Sequence, residues 1–200
     1  MTTAPPARVA AVVLAAGASR RLGRPKQLLP WHGRSLLRHV AQEAASSQAA
    51  SCFVVLGCNH QELDVELKGL DVELVRNEGW REGMASSIRA GVEAACGLEP
   101  RPDAVALIAC DQPHVSHALI DSLIRRHEQT HASIVACEYA GTVGVPALFA
   151  RLHFEELLSL TGDRGAKGVI AAHLRTVARL PFPEGRLDID IPADLDHLES

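Results

Sequence analysis

The sequence predicts a single three-layer α/β/α domain built on a mostly parallel sheet. Its 200 residues, 47% of them apolar, suit one domain with a full core. Short β-branched runs alternate with stretches of helical periodicity, and short turns separate them, which is the pattern of a parallel sheet covered on both faces. An apolar run, 9–14, ends abruptly in the small residues Ala15, Ala16 and Gly17, as a first strand does where it opens into a ligand loop. Residues 1–7 read as a disordered lead without a signal-peptide pattern, and 8–200 as the domain.

The first loop concentrates basic character. Arg20, Arg21, Arg24 and Lys26 crowd it with no acid beside them, and Ser19 adds a hydroxyl near exposed backbone N–H groups. Small residues plus cations suit a phosphate; the alternative is an ordinary basic surface loop. Five residues separate Gly17 from Gly23 and Arg24 follows, so the spacing is not that of a Walker A loop, and no G-x-G-x-x-G is present. Residues 31–34 read as a turn. Ser35 caps a helix with Leu36, Leu37, Val40, Ala41 and Ala44 on one face. Strands are expected at 52–57 and 72–75, with a short helix at 61–68 between them.

Asn77 follows the third strand, at the sheet end where such folds bind ligands. A helix opens at 83–87, where Ser86 and Ser87 either donate to a ligand or simply cap. The most apolar strand, 105–109, runs into Cys110-Asp111-Gln112-Pro113. Asp111 at that rim either holds a hard cation or caps the turn before Pro113. Ser116 opens the next helix, with Leu119, Ile120, Leu123, Ile124 and His127 on one face; His127 and His131 read as solvated or helix-end residues. A strand at 133–137 precedes 142–149, where a glycine and a proline within a strand imply an edge or a bulge. Residues 155–160 read as helix. In 160–167 Asp163 is expected to N-cap the following helix, with Arg164 and Lys167 facing an anion or solvent. A last strand leads to D-I-D-I-P-A-D-L, where alternation puts Asp188 and Asp190 on one face and Pro192 starts the final helix.

A formal charge of −4 argues against nucleic acid as a partner, and no apolar run reaches the roughly 18 residues of a membrane helix. Five scattered cysteines, with no C-x-x-C, read as reduced cytoplasmic thiols and not as a disulfide frame or a zinc site.

The stretch L-A-A-G-A-S-R-R-L-G-R-P-K from Leu14 resembles the signature L-A-A-G-x-S-x-R-x-G-x-x-K of nucleotidyltransferases with a single Rossmann-like domain. The resemblance implies the nucleotide-diphospho-sugar transferase fold. It also implies nucleotide binding by Leu14, Ala15, Ala16, Gly17, Ser19, Arg21, Gly23 and Lys26, with Arg21 and Lys26 catalytic. Asn77, Trp80, Gly83, Met84 and Ser87 match N-x-x-W-x-x-G-M-x-x-S of the molybdenum-cofactor cytidylyltransferase branch, which implies nucleotide contacts from Asn77, Gly83 and Ser87. In the same branch C-D-Q-P implies Asp111 as a catalytic, metal-binding residue and Gln112 and Pro113 on the acceptor side.

Gly144 and Pro146 match the family's G-x-P segment, and Gly162, Asp163, Gly165 and Lys167 its G-D-x-G-A-R/K segment; both are acceptor-side. Lys167 stands where arginine is more usual, which loses a bidentate phosphate grip. D-I-D-I-P-A-D-L is similar to D-I-D-T-P-E-D-L, which makes Asp190 the second metal ligand. Ile191 replaces the threonine, and Asp194 remains a first-turn acid.

From Arg8 onwards the chain therefore resembles the MocA-like cytidylyltransferases within the MobA-like nucleotidyltransferases. That implies CTP, Mg²⁺ and a molybdopterin-type acceptor, with a molybdenum hydroxylase as the client of the product. The implied reaction is attack of the acceptor phosphate on the α-phosphorus with loss of pyrophosphate. A phosphate monoester is largely dianionic at neutral pH, so no general base is needed. In the run Ala15-Ala16-Gly17 the guanylyl branch tends to have a second glycine, and an alanine methyl narrows the space in favour of a pyrimidine. Three alternatives stand. One is a GTP- or other NTP-dependent enzyme of the same fold. Another is a methylerythritol-phosphate cytidylyltransferase, which shares P-K-Q-L-L-P at 25–30. The third is a non-catalytic cofactor carrier, against which Lys26, Asp111 and Asp190 speak.

Overall fold

The structure, a computed structural model, describes residues 6–19 and 22–187. Arg21, Asp188, Asp190, Ile191, Pro192 and Asp194, together with the expected final helix, lie outside the described residues.

The chain opens with β1 (Val9–Leu14). A small hairpin, β2 (Pro30–Trp31) with β3 (Arg34–Ser35), leads into α1 (Leu36–Ala45). There follow β4 (Ser51–Leu56), α2 (His60–Glu66), β5 (Glu73–Arg76), α3 (Met84–Cys96), β6 (Ala104–Ala109) and α4 (His117–Thr130). The last elements described are β7 (Ile134–Tyr139), β8 (Thr142–Ala150), α5 (Phe154–Leu158), α6 (Lys167–Ala172) and β9 (Ala178–Pro181).

Seven strands form one sheet in the order β5-β4-β1-β6-β8-β7-β9. All pairs are parallel except those of β8, which runs antiparallel to both β6 and β7. Every residue of β1 is buried, because each face of the sheet carries helices. Val9, Ala11 and Val13 pack with Leu36, Leu37 and Val40 of α1 and with Ile120 and Leu123 of α4. The alternate residues Ala10, Val12 and Leu14 pack with Ile88 and Val92 of α3, Leu157 of α5 and Ile170 of α6. The three layers thus follow from period-two alternation in a strand that is apolar throughout. Burial of this kind stabilises by roughly 25 cal/mol per Å² of apolar surface removed from water.

Both expected serine caps form. Ser35 Oγ accepts from the Arg38 N–H (3.2 Å) and Ser116 Oγ from the Leu119 N–H (3.3 Å). His131 ends α4 in the left-handed conformation, which makes it the helix-end histidine that the sequence suggests.

Two local expectations are corrected. Asp163 does not cap α6: that helix has Ala166 at its N-cap and no side-chain cap. And β8 is not an edge strand. Its bulge does occur, as a register shift opposite Ala136 and Cys137. The ladder with β6 stops at Ala147 and the β7 ladder passes from Ala147 to Gly144, so Val145 and Pro146 lie in the bulge and the proline's missing N–H breaks neither ladder.

Candidate active site

A cavity of about 510 Å³ opens at the carboxyl end of β1, a volume suited to a nucleotide-sized ligand. The loop after β1 supplies one wall: Leu14, Ala16, Gly17, Ala18, Ser19 and Lys26. Trp80, Arg81, Gly83, Met84, Ser87 and Asp163 supply the other.

The first wall is tied together from inside by Gln27, which is 2% exposed. Its amide N–H group donates to the carbonyls of Ala15 (2.9 Å) and Gly17 (2.7 Å). Its carbonyl accepts from the Ser19 hydroxyl (3.3 Å), and Ser19 Oγ accepts in turn from the Lys26 N–H (3.0 Å). A buried amide with both ends satisfied fixes a loop that has no regular structure of its own. Ser19, at φ +51°, spends its hydroxyl on the loop while still lining the cavity. Gly23, at φ +73°, lies further round the loop with no neighbour among the described residues near its α-carbon side-chain position.

Lys26 Nζ lies 2.5 Å from Asp111 Oδ2, with the side chains 18% and 21% exposed. The cation expected at the phosphates and the carboxylate expected at the metal thus meet in one pair. The corner that carries Asp111 is anchored on both sides. His39 of α1 donates from Nε2 to the Pro113 carbonyl (3.0 Å). Burial, aided by the nearby Arg34 charge, holds the His39 imidazole below its ordinary pKa, so it is the neutral form that donates. Gln112, also 2% exposed, donates from Nε2 to the carbonyls of Val145 (3.3 Å) and Gly185 (3.4 Å). The flanking Cys110 is fully buried, and burial raises its thiol pKa strongly. It is an inert packing residue and not a nucleophile.

The second wall is built by an approach between distant segments. Asn77, buried at the end of β5, donates to Ser86 Oγ (2.9 Å) and Ser87 Oγ (3.1 Å). Ser86 passes its own hydrogen to the Gly83 carbonyl (2.8 Å). Among the described residues nothing accepts the Ser87 hydroxyl hydrogen, so it is left for whatever fills the cavity. Asn77 therefore aims the serine and does not itself line the space.

Gly83 has φ +124°, and a Cβ there would overlap Asp163 Oδ1 and the Gly162 carbonyl oxygen (2.6 Å). Only glycine permits both that backbone and that proximity. The same approach explains why Asp163 fails as a cap. The Ala85 N–H donates to the Gly162 carbonyl (3.1 Å), the Gly162 N–H to Glu82 Oε1 (3.3 Å), and Arg89 to the Leu160 carbonyl (2.6 Å). These bonds draw the 160–163 segment across to the start of α3. The two walls meet at Gly57, where a Cβ would lie 2.6 Å from Trp80 Cβ and 2.9 Å from Ala16 Cβ. Arg81 stacks over the Trp80 ring, 4.4 Å from its centre.

Of the nucleotide-side residues read from sequence, the cavity gathers Leu14, Ala16, Gly17, Ser19, Lys26, Gly83 and Ser87, and Asp163 of the acceptor-side group joins them. Ala15 and Asn77 sit behind it as supports. Asp111 reaches it through Lys26. Gln112, Pro113, Gly144, Pro146, Gly162, Gly165 and Lys167 do not line it. Gly144 lies under the Tyr139 hydroxyl, Gly165 beside Met84, and Lys167 is exposed at the start of α6. Ala18, Arg81 and Gln27 were not singled out. The signal for Gln27 was an amide in the otherwise apolar run after Lys26.

A family model described as the MobA-like NTP transferase domain matches residues 11–177. The chain belongs to that family. It is similar to a nicotine blue oxidoreductase of Paenarthrobacter nicotinovorans, 34% identical over 129 residues, covering 64% of this chain and 61% of that one. It is also 34% identical over 113 residues to a molybdenum cofactor guanylyltransferase of Xanthomonas euvesicatoria, covering 56% and 52%. The matched part of the chain thus spans between about half and two thirds of these relatives. Among solved structures, Rv0371c of Mycobacterium tuberculosis superposes with a TM-score of 0.81 at 31% identity, over 98% of this chain and 100% of that one. A further structure of the M. tuberculosis protein, described as a complex with manganese, gives 0.76 at 30% identity over 96% and 99%. These relations agree with the MobA-like resemblance and with the three-layer fold. No described helix is long and apolar enough to cross a membrane.

Proposed function

We propose that the protein transfers CMP from CTP to the phosphate of a molybdopterin-type acceptor and releases pyrophosphate. The observation that carries this reading is the Lys26–Asp111 pair, whose lysine lines a nucleotide-sized cavity beside a small-residue loop. Without ligand, cation and carboxylate neutralise each other. A triphosphate offers Lys26 a more highly charged partner. Asp111 has one oxygen engaged by Lys26 and a second with no protein partner among the described residues, so its donor set fits a hard cation. A Mg²⁺ ion held there, with Asp190 as the second ligand implied by the resemblance, would neutralise charge on the triphosphate.

The residues of the chain supply position and charge. The loop amides after β1 and Lys26, with Arg21 in the role the resemblance gives it, bind the β- and γ-phosphates. Ser87, aimed by Asn77, donates to the nucleoside or the α-phosphate. An acceptor phosphate oxygen bonds to the α-phosphorus, the bond from that phosphorus to the bridging oxygen breaks, and pyrophosphate departs. The acceptor side comprises Gln112, Pro113, Gly144, Pro146, Gly162, Asp163, Gly165 and Lys167. A molybdenum hydroxylase receives the product in this reading, and a reducing cytoplasm suits the five free thiols.

The choice of CTP rests on the resemblance of C-D-Q-P and G-D-R-G-A-K to the cytidylyl branch and on the Ala15-Ala16-Gly17 run, of which Ala16 and Gly17 line the cavity. GTP is the second reading, favoured by relatives named molybdenum cofactor guanylyltransferases. The measurement is the ratio of kcat/KM for the two triphosphates with molybdopterin as acceptor. A steric difference of ~1–3 kcal/mol favours CTP by roughly ten- to two-hundred-fold. A ratio favouring GTP overturns the cytidylyl reading and leaves nucleotidyl transfer standing.

A further inference from the structure

At the opposite end of the sheet, two imidazoles converge on one carboxylate oxygen. Ala150, the end of β8, pairs with Ala104, the first residue of β6, whose other end leads to Asp111. Just beyond Ala150, His153 directs Nδ1 at Glu156 Oε2 (3.3 Å), and His173, which follows α6, directs Nε2 at the same oxygen (2.9 Å). The two rings lie edge to face, 4.6 Å between centres. The three ligand atoms lie within 4.8 Å of one another.

We propose that His153, Glu156 and His173 form a binding site for a zinc-class divalent cation, separate from the catalytic cavity. The ligand set is two imidazoles and one carboxylate, which zinc accepts with a fourth position left for water. In the metal-free form each imidazole gives an N–H to Glu156; when a cation takes that place, each ring carries its proton on its other nitrogen. Burial raises the Glu156 carboxyl, but the hydrogen bonds from His173 and His153 outweigh it and keep the group ionised, the form that ligates. His153 already has the outer partner expected of a ligating histidine. Its far nitrogen, Nε2, faces Ser133 Oγ (3.0 Å), a hydroxyl that donates to Nε2 while Nδ1–H bonds Glu156 and accepts from Nε2–H once Nδ1 coordinates, and that holds the ring in place in both tautomers. His153 is 2% exposed and set, whereas Glu156 and His173 are roughly one-third exposed and can close the remaining distance. Zinc bonds of about 2.0–2.1 Å ask for that small contraction. A cation here clasps the start of α5 to the end of α6, the helix that follows the Asp163 loop.

The test is calorimetric titration of the metal-free full-length protein with zinc chloride, on wild type, E156Q, H173A and D111N. Wild type and D111N are expected to bind one equivalent alike, and zinc to raise the melting temperature of both. E156Q and H173A, surface changes whose folding circular dichroism checks, are expected to bind at least about tenfold more weakly. The proposal falls if wild type binds no zinc, if E156Q and H173A bind as wild type does, or if D111N alone abolishes binding.

Discussion

The two walls of the cavity are held by different forces. Gln27, itself buried, fixes the loop after β1 from within through neutral hydrogen bonds. The opposite wall is strapped from outside, by Arg89 on Glu82 (2.6 and 2.9 Å) and by Glu82 on the Gly162 N–H. First the Arg89 guanidinium, then that N–H, hold the Glu82 carboxyl below its ordinary range, yet the pair remains open to solvent and to salt. The contrast separates a preset wall, which meets the charged phosphates, from a wall whose closure depends on ionic conditions.

The most severe break removes charge from the preset wall. Lys26→Ala is expected to lower pyrophosphate release by orders of magnitude with an unchanged circular dichroism spectrum. Normal turnover would mean that the loop is not the triphosphate site. Gln27→Leu is next. It strands the buried Ala15 carbonyl at a cost of about 1–3 kcal/mol, so urea unfolding should shift to lower concentration and KM for the nucleotide should rise. If both stay put, the amide is not what holds the loop.

Arg89→Ala tests the outer strap. Little change in unfolding midpoint is expected, with a raised KM that climbs less steeply with added salt than the wild-type KM does. An unaltered salt response would show that the strap does not set the wall.

The smallest effect concerns the corner under Asp111. His39 has a folded pKa below its ordinary 6.5, so the unfolded chain binds the extra proton first. The stability it contributes is complete above about pH 6.5 and is lost as pH falls toward the folded value. Urea midpoints between pH 7.5 and 5.5 should fall in wild type and fall less in His39→Gln. That window lies above the ordinary 4.5 of Glu43 and Glu156, so neither carboxylate confounds it.

What the sequence revealed and what it hid follow from the range of the interactions involved. β1, the Ser35 and Ser116 caps and the placement of Asp111 at a strand end depend on neighbours within a few residues, and period and cap chemistry express them directly. Asp163 failed because its competitor was remote: Gly83, eighty positions earlier, pulls its loop away from α6. Gly144 and Pro146 imply an edge or a bulge by a local rule, and the bulge is what forms: a register shift lets β8 stay central with the proline past the β6 ladder. Gln27 was missed because burial of one amide among leucines is a tertiary fact. Asn77 is read as a ligand contact; its amide is placed one hydrogen bond behind Ser87, which lines the cavity.

The reversed strand β8 has a consequence for how the chain can be divided. The first wall, Asp111 and the Ser87 arm all belong to the first 111 residues, which invites the idea of a free-standing nucleotide-binding half. Yet β6 is sandwiched between β1 and β8, and all but one of its residues are fully buried. Cut after the Asp111 corner, the half-molecule would present β6 as a bare apolar border with unpaired N–H and C=O groups, a template for sticking to other chains. The later strands therefore seal the earlier ones, and the molecule is indivisible where its binding residues would suggest a seam.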